Sequence, residues 1–219
     1  MEGSRNRILN LLLQSKQATV EQLSRDMGLA SATVRRHLDI LQRDNLVAYD
    51  QVRKKTGRPE HRYHLTEGGQ EFLPKGYNLL LAKLLYKLSG LSSEELASRS
   101  GGDLLRMLFQ EMAKESAGSS AGEAKASFDK RLERAMVVLR EEQFQPLLEE
   151  GPDGLRLKLH NCHFRSVAMA HPSVCEYDQY MLSCILGTKV VRDNCITGGD
   201  QGCCYLVSRP TAASVVLPK

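Results

Sequence analysis

Residues 19–43 read TVEQLSRDMGLASATVRRHLDILQR, and this stretch decides the fold of the N-terminal part of the chain. Thr19 and Gln22 stand three residues apart, which is the spacing of a capping box at the start of a helix. Gly28 suits the left-handed residue that ends such a helix, and a second helix is predicted from about Ser31 to Asp44. Two helices joined by a short turn that contains glycine are typical of a helix-turn-helix.

The flanking sequence predicts a helix before this motif and a β-hairpin after it. Residues 4–13 carry apolar side chains at helical spacing, with Ser4 placed as the cap. Two strand-like runs, 46–49 and 62–65, are bridged by a basic loop rich in turn residues, and residues 66–69 end the hairpin. Residues 1–73 are therefore predicted to form a winged helix-turn-helix domain.

Charge is concentrated in this domain. Residues 31–64 hold eight Arg and Lys against four Asp and Glu, a net charge of +4 that equals that of the whole chain. The first residues of the second helix of such a motif meet base edges in the major groove, and a basic wing contacts phosphate or the minor groove. The predicted DNA-binding residues are Ser31, Thr33, Arg35, Arg36 and His37 on the helix, and Arg53, Lys54, Lys55 and Arg58 on the wing.

The middle of the chain is predicted to be helical. Residues 77–88, YNLLLAKLLYKL, have too broad an apolar surface for a solitary surface helix, which favours burial against a partner helix of a second subunit. Further helices are predicted within 91–115 and over 125–142, with a flexible break at 118–122. Residues 74–150 are thus expected to form a helical dimerisation region in a homodimer.

The pattern changes after a turn at 151–154, GPDG. Strand-like runs at 155–160, 190–196 and 203–208 surround a predicted helix over 171–186, and the Gly-rich turn 197–202 joins the last two strands as a hairpin. Residues 151–219 are therefore predicted to be an α+β domain, and the whole chain to be mainly α with this α+β part at its C-terminus.

Several classes of protein are disfavoured. No stretch approaches the ~18 uninterrupted apolar residues of a membrane span, and no apolar signal segment opens the chain, so a cytoplasmic protein without membrane contact is expected. That compartment keeps thiols reduced, which argues against a disulfide framework. No phosphate-binding loop, HExxH motif or nucleophile–base motif is present, so an enzyme is not expected.

All six cysteines lie after residue 160, and none forms the tight pair of a zinc knuckle. Cys203 and Cys204 are adjacent on a predicted strand, so their side chains should point to opposite faces. Cys195 lies on the preceding strand, where the hairpin can bring it towards Cys203. Cys184 is nine residues beyond Cys175 on one predicted helix, about 13 Å along the axis, and is better explained as core packing.

The two ends of the chain together resemble the SufR-type repressors, winged-helix regulators that bind an iron–sulfur cluster and control genes for cluster assembly. The resemblance rests on the segment 33–38, on the wing motif GRP…YHLT at 57–66, and on the spacing of the tail. The tail motif consists of Asn161-Cys162, His171-Pro172, Cys175, Leu186-Gly187, Gly199-Asp200 and Cys203.

The resemblance implies that Cys162, Cys175 and Cys203 bind the cluster, in the [4Fe–4S] form. The fourth ligand is less fixed in the family: the hairpin argument favours Cys195, and the alternatives are Cys204, His163, a ligand from elsewhere in the chain, or an iron site left open. The implied protein is a homodimeric repressor that binds double-stranded operator DNA when it holds its cluster. A zinc-stabilised or thiol-redox regulator that uses the same cysteines is the alternative.

Overall fold

The computed structural model describes residues 2–53, 59–118, 126–151, 154–200 and 202–209, and the chain divides into two compact units. Unit 1 is Met1–Pro74 and unit 2 is Lys75–Lys219. Among the described residues, none of the helices is both long and apolar enough to cross a membrane.

The described residues of unit 1 form three helices, a β-hairpin and a short fourth helix. The capping box predicted at Thr19 and Gln22 is present, and Gly28 ends the second helix with a left-handed φ of 68°. The helix-turn-helix prediction is therefore confirmed. The elements are α1 (Glu2–Ser15), α2 (Val20–Met27), α3 (Ser31–Arg43), β1 (Val47–Val52), β2 (Glu60–Leu65) and α4 (Glu67–Phe72).

The apolar faces of α1, α2 and α3 point into one core. Ile8 of α1, Leu23 of α2 and Leu38 of α3 are fully buried there. The hairpin strands pair antiparallel from Val47 opposite Leu65 to the loop, and Tyr63 exchanges two backbone hydrogen bonds with Ala18. The wing is thereby attached to the segment between α1 and α2.

One local prediction for unit 1 was wrong, and one short helix was not predicted. Ser4 does not cap the first helix, because that helix begins at Glu2 and Ser4 lies within its first turn. Residues after the hairpin form the short helix α4, since the Thr66 hydroxyl accepts a hydrogen bond from the Gly69 amide. Gly69 lies against the Leu46 carbonyl with no room for a Cβ atom.

Unit 2 contains helices packed on a four-stranded sheet. The helices are α5 (Tyr77–Ser89), α6 (Ser93–Ala97), α7 (Gly101–Ala117), α8 (Phe128–Glu141), α9 (Arg165–Ala170) and α10 (Cys175–Leu186), with 3₁₀ turns at Pro172–Val174 and Ile196–Gly198. The strands are β3 (Pro146–Gly151), β4 (Gly154–Leu159), β5 (Val190–Asn194) and β6 (Cys203–Val207).

The sheet is antiparallel, in the order β3-β4-β6-β5. Strands β5 and β6 form the predicted hairpin, with a bulge between Arg192 and Asn194. Strand β3 was not expected, because its sequence PLLEEG lacks β-branched residues and only pairing with β4 makes it a strand.

One core joins the helices of unit 2 to the sheet. Met112 of α7, Leu139 of α8 and Leu157 of β4 are fully buried in the same cluster. Side chains from the predicted regions 74–150 and 151–219 therefore share this core. A dimerisation role for the first region and a sensor role for the second stay predictions.

Candidate functional site

The recognition helix α3 is held by its buried face and presents the opposite face to solvent. Val34, Leu38 and Leu41 are buried, whereas Thr33, Arg35 and Arg36 are exposed. This arrangement suits the major-groove contacts expected of these residues, because their side chains are free of the core.

The other two predicted contacts on α3 are half-buried. The Ser31 hydroxyl lies 3.5 Å from that of Ser24, across the turn of the motif. The Nδ1 atom of His37 is buried and has no hydrogen-bond partner among the described residues. The structure thus places both residues at the edge of the exposed face.

Arg35 has a competing acidic partner. Its guanidinium lies 3.5 Å from the Glu21 carboxylate of α2, and both side chains are more than half exposed. Such an exposed pair adds little stability. A phosphate or a base edge can therefore replace Glu21 at little cost.

The wing can be followed only in part. Arg53 is exposed at the end of β1, whereas Lys54, Lys55 and Arg58 lie outside the described residues. Tyr49 and His61 stack on the strands with their ring centroids 4.1 Å apart.

The second candidate site is a pocket of thiols in unit 2, built around the β5–β6 turn. The Cys203 thiol lies 3.7 Å from the Cys195 sulfur, and the Thr197 hydroxyl donates to that sulfur at 3.2 Å. The Asp200 carboxylate accepts a hydrogen bond of 3.1 Å from the Cys195 amide, which fixes the turn. The predicted approach of Cys195 to Cys203 across the hairpin is present.

Cys175 comes to the same sulfur from the first turn of α10. Its thiol is hydrogen-bonded to Cys195, and this bond, with those from Cys203 and Thr197, lowers the pKa of Cys195 far below that of a free thiol. The bond to Cys195 and burial raise the pKa of Cys175 and of Cys203. The arrangement therefore favours one negative charge shared among three sulfurs.

Cys162 lies on the loop between β4 and α9 and packs, partly buried, against the core of unit 2. Burial and the Asp178 carboxylate raise the pKa of its thiol to about 12, and Cys195 is also among the charges that act on it. Cys175, Cys195 and Cys203 are thus brought together from two parts of the chain, and the charge of Cys195 also acts on the thiol of Cys162. Within the part of the chain that the structure describes, no three His, Cys, Asp or Glu side chains are arranged to hold one metal ion.

The other two cysteines lie elsewhere. Cys204 is buried on the outward face of β6, where Asp193 and Arg156 are among its charged neighbours. Cys184 packs, half-buried, against the core from α10. The opposite orientations of Cys203 and Cys204 agree with the alternation of a strand.

His163 is buried beside Cys162. Its ring packs against Phe144 and Phe164, and its Nδ1 atom is hydrogen-bonded to the Glu142 carbonyl. Burial lowers its pKa to about 4, so the ring is neutral at physiological pH. Its Nε2 atom has no hydrogen-bond partner among the described residues, and His163 therefore stays an alternative ligand.

A buried polar group beside the thiols was not predicted. Asp178 on α10 accepts a hydrogen bond of 2.6 Å from the Tyr205 hydroxyl, and burial raises the pKa of its carboxyl to about 6. The Arg192 guanidinium donates to the Cys175 carbonyl at 3.3 Å. The only signal in the sequence is the presence of Asp178 within the largely apolar segment 174–186.

Comparison with known proteins bears on unit 1. Residues 2–49 match the family described as "Bacterial regulatory protein, arsR family". That segment runs from α1 into β1 and so contains the whole helix-turn-helix. The family is one of transcription regulators and not of enzymes.

Among solved structures, the chain is similar to PadR of Bacillus subtilis in a complex with operator DNA. The two share 16% identity over 83% of this chain and 96% of that one, with a TM-score of 0.30, which is too low to support an argument about fold or function. No curated protein matches the sequence. The comparisons thus bear on the first unit, and the chain carries an ArsR-family helix-turn-helix regulator domain at its N-terminus.

Proposed function

We propose that this chain is a homodimeric transcriptional repressor whose operator binding depends on an iron–sulfur cluster. The single observation that carries the proposal is the meeting of Cys175 and Cys203 at the Cys195 sulfur, with Cys162 within the electrostatic influence of that sulfur, in a chain that also carries a regulator's DNA-binding domain. The resemblance to SufR-type repressors adds the target, the genes for cluster assembly, and the [4Fe–4S] form.

The donor set fits such a cluster. Thiolates are the ligands of iron–sulfur clusters, and four of them complete a [4Fe–4S] site. In a cubane each thiolate binds its own iron, so the four sulfurs surround the cluster instead of meeting at one point. The raised pKa values of Cys162, Cys175 and Cys203 mean that protons must leave when the cluster binds.

The cluster would supply sensitivity to iron and to oxidants, because the fraction of chains that hold it would depend on both. The chain's own residues position the four sulfurs: Asp200 holds the turn at Cys195, and Arg192 holds the first turn of α10 at Cys175. Loss of the cluster would leave the buried thiols without bound iron, and the loop and turn that hold them would relax.

A dimer is supported by helix α5. Its outward half carries Leu79, Leu81, Leu85 and Tyr86, which are between 47% and 74% exposed. A row of large apolar side chains on one helix face marks an interaction surface. A second copy of the chain is the proposed partner, because two recognition helices are needed to read two half-sites of an operator.

The decisive experiment combines metal analysis with DNA binding. The full chain is purified without oxygen, and iron, sulfide and zinc are measured per chain. Its affinity for DNA from upstream of cluster-assembly genes is then titrated before and after removal of the metal by chelation. We expect a brown protein with near-stoichiometric cluster that loses operator affinity when the cluster is removed.

Single Cys→Ser variants at positions 162, 175, 195 and 203 should lose iron, and Cys184→Ser and Cys204→Ser are the matched controls. Unchanged operator affinity after cluster removal would contradict the sensing role. Full iron in Cys195→Ser would contradict the fourth ligand alone and direct attention to His163 or Cys204.

A zinc or thiol-redox regulator is the second candidate, and one distance favours it. Tetrahedral zinc with bonds of about 2.3 Å holds its sulfurs about 3.8 Å apart, close to the 3.7 Å between Cys195 and Cys203. A colourless protein with one zinc per chain would support this candidate and reject the cluster. A metal-free protein that forms a reversible disulfide under peroxide would support the redox form.

A further inference from the structure

The loop that carries Cys162 is hydrogen-bonded to the first residues of unit 2. The Gly76 amide donates to the His163 carbonyl at 3.0 Å. The Lys75 ammonium donates to the Asn161 side chain at 2.9 Å and to the backbone carbonyl of Cys162 itself at 3.1 Å. A predicted ligand residue therefore shares a hydrogen bond with the residue at which unit 2 begins.

Tyr77 adds two more bonds to the same loop. Its hydroxyl accepts from the Ser166 amide at 3.0 Å and lies 3.0 Å from the Ser166 hydroxyl. Gly76 permits the close approach, since a Cβ atom there would lie 3.2 Å from the His163 ring. Together, these contacts between residues 75–77 and residues 161–166 form what we call the junction clamp.

The other side of the loop is fixed to the sheet side of unit 2. The Asn161 amide donates to the Phe144 carbonyl at 3.1 Å, and its side chain donates to the Gln143 carbonyl at 2.8 Å. Asn161 is 2% exposed. The loop is thus held between residues 143–144 and the junction clamp, and Cys162 is the predicted cluster ligand that it carries.

Residues 75–77 also have a special place in the chain. Unit 1 ends at Pro74, and helix α5 begins at Tyr77. The same three residues therefore connect the DNA-binding unit covalently to the helix with the exposed apolar face. Their backbone is thus the covalent link between the DNA-binding unit and the proposed dimer helix.

We infer that the junction clamp transmits the state of the Cys162 loop to the start of α5 and to the winged helix. The inference rests on the proposed function, in which Cys162 binds a cluster. With its sulfur bound, Cys162 holds the carbonyls of residues 162 and 163 in place as acceptors for Lys75 and Gly76. When the sulfur is released, these acceptors move and the clamp opens. Coupling between two sites requires such an element with two states.

The test measures a ratio in the full chain: operator dissociation constant without cluster divided by that with cluster. The variants are Tyr77→Phe, which removes one hydroxyl, and Lys75→Met, which removes the ammonium. Lys75→Arg should restore the coupling, because it keeps a cationic donor. Tyr180→Phe and Lys130→Met are controls, at a half-buried and an exposed position outside the clamp.

We expect the wild-type ratio to fall in the range of roughly 5–150 that is typical of allosteric coupling. Tyr77→Phe and Lys75→Met should bring it close to one while iron content and visible absorbance stay at the wild-type level. A second readout is independent of DNA: hydrogen exchange at the Gly76 amide should be slow with the cluster and fast without it, and fast in both states in Lys75→Met.

The outcomes separate the two proposals. A wild-type ratio above one that the variants retain, with unchanged exchange at Gly76, would overturn the clamp and leave the sensor intact. A wild-type ratio of one in a cluster-loaded protein would overturn the sensor and the clamp with it. Loss of cluster in both variants would also overturn the clamp as a transmitter, because Lys75 and Tyr77 would then be needed to build the pocket.

Discussion

Cys203 and Cys204 are neighbours in the chain, yet their side chains lie on opposite faces of β6. Cys203 faces the core with the Cys195 sulfur 3.7 Å away, whereas the surroundings of Cys204 are the charged groups of the outer face. This difference follows from the two-residue repeat of a strand. It separates the two thiols chemically although they are covalently adjacent.

Replacing each of the two cysteines by serine gives a sharp test at this scale. Cys203→Ser should lose most of the bound iron, because it removes a sulfur from the pocket. Cys204→Ser should keep the wild-type iron content and differ at most in stability. Iron and sulfide per chain after anaerobic purification measure this, and equal loss in the two variants would contradict the assignment.

Asp178→Asn should change how the stability of the cluster-free chain depends on pH. Burial raises the pKa of this carboxyl from 3.8 to about 6, so the folded chain retains a proton that the unfolded chain releases between these values. Its stabilising contribution is complete below pH 3.8 and is lost as the pH rises through 6. The resulting decrease in the free energy of unfolding is at most about 3 kcal/mol.

Urea unfolding of both chains at several pH values measures this effect. The difference in free energy of unfolding between wild type and Asp178→Asn should change between pH 3.8 and about 6 and level off above pH 6. Tyr205→Phe should act in the opposite direction, since the Tyr205 hydroxyl bond lowers the pKa of Asp178. Parallel curves for wild type and Asp178→Asn would contradict the raised pKa.

At the scale of elements, helix α3 is the recognition helix of the helix-turn-helix domain. Its first half presents exposed Thr33, Arg35 and Arg36, and its last turn presents exposed Arg43. In a helix-turn-helix the N-terminal half approaches the bases, and the C-terminal end lies farther from them. Two arginines on one exposed helix should therefore differ in their effect on DNA binding.

Arg36→Ala is expected to weaken operator binding by about 1–3 kcal/mol, the range of a good arginine–guanine contact. Arg43→Ala is the matched control and should stay within about twofold of wild type. Fluorescence anisotropy with operator and with unrelated DNA measures both affinities. A loss that is equal on the two DNAs would assign Arg36 to phosphate instead of base contacts.

For the whole molecule, the exposed apolar face of α5 is the proposed dimer surface. Leu85→Glu should convert the proposed dimer into a monomer, because it places a carboxylate in the centre of that face. Operator affinity should then fall by roughly a hundredfold, since the two half-sites are no longer bound together.

Sedimentation analysis gives the mass directly. Val137→Glu is the control, because Val137 is 49% exposed on α8 and outside the face on α5. A dimer that persists in Leu85→Glu would place the interface elsewhere.

The sequence alone determined those features of the fold that depend on residues close together in the chain. The capping box at Thr19, the left-handed Gly28 and the apolar faces of the first three helices follow from neighbours within a few residues, so the helix-turn-helix was predictable. The β5–β6 hairpin, the approach of Cys195 to Cys203 and the separation of Cys204 were predictable as well. Turn chemistry and strand alternation act over short distances along the chain.

Only the tertiary structure decided the rest. Residues 75–77 and 161–166 are more than 80 positions apart, so no local pattern indicates that Lys75 contacts Cys162. Asp178 and Tyr205 meet because α10 packs on β6, and β3 is a strand because β4 pairs with it. These contacts depend on how the elements pack together, and packing surrounds the predicted thiols with an acid, an arginine and the junction clamp.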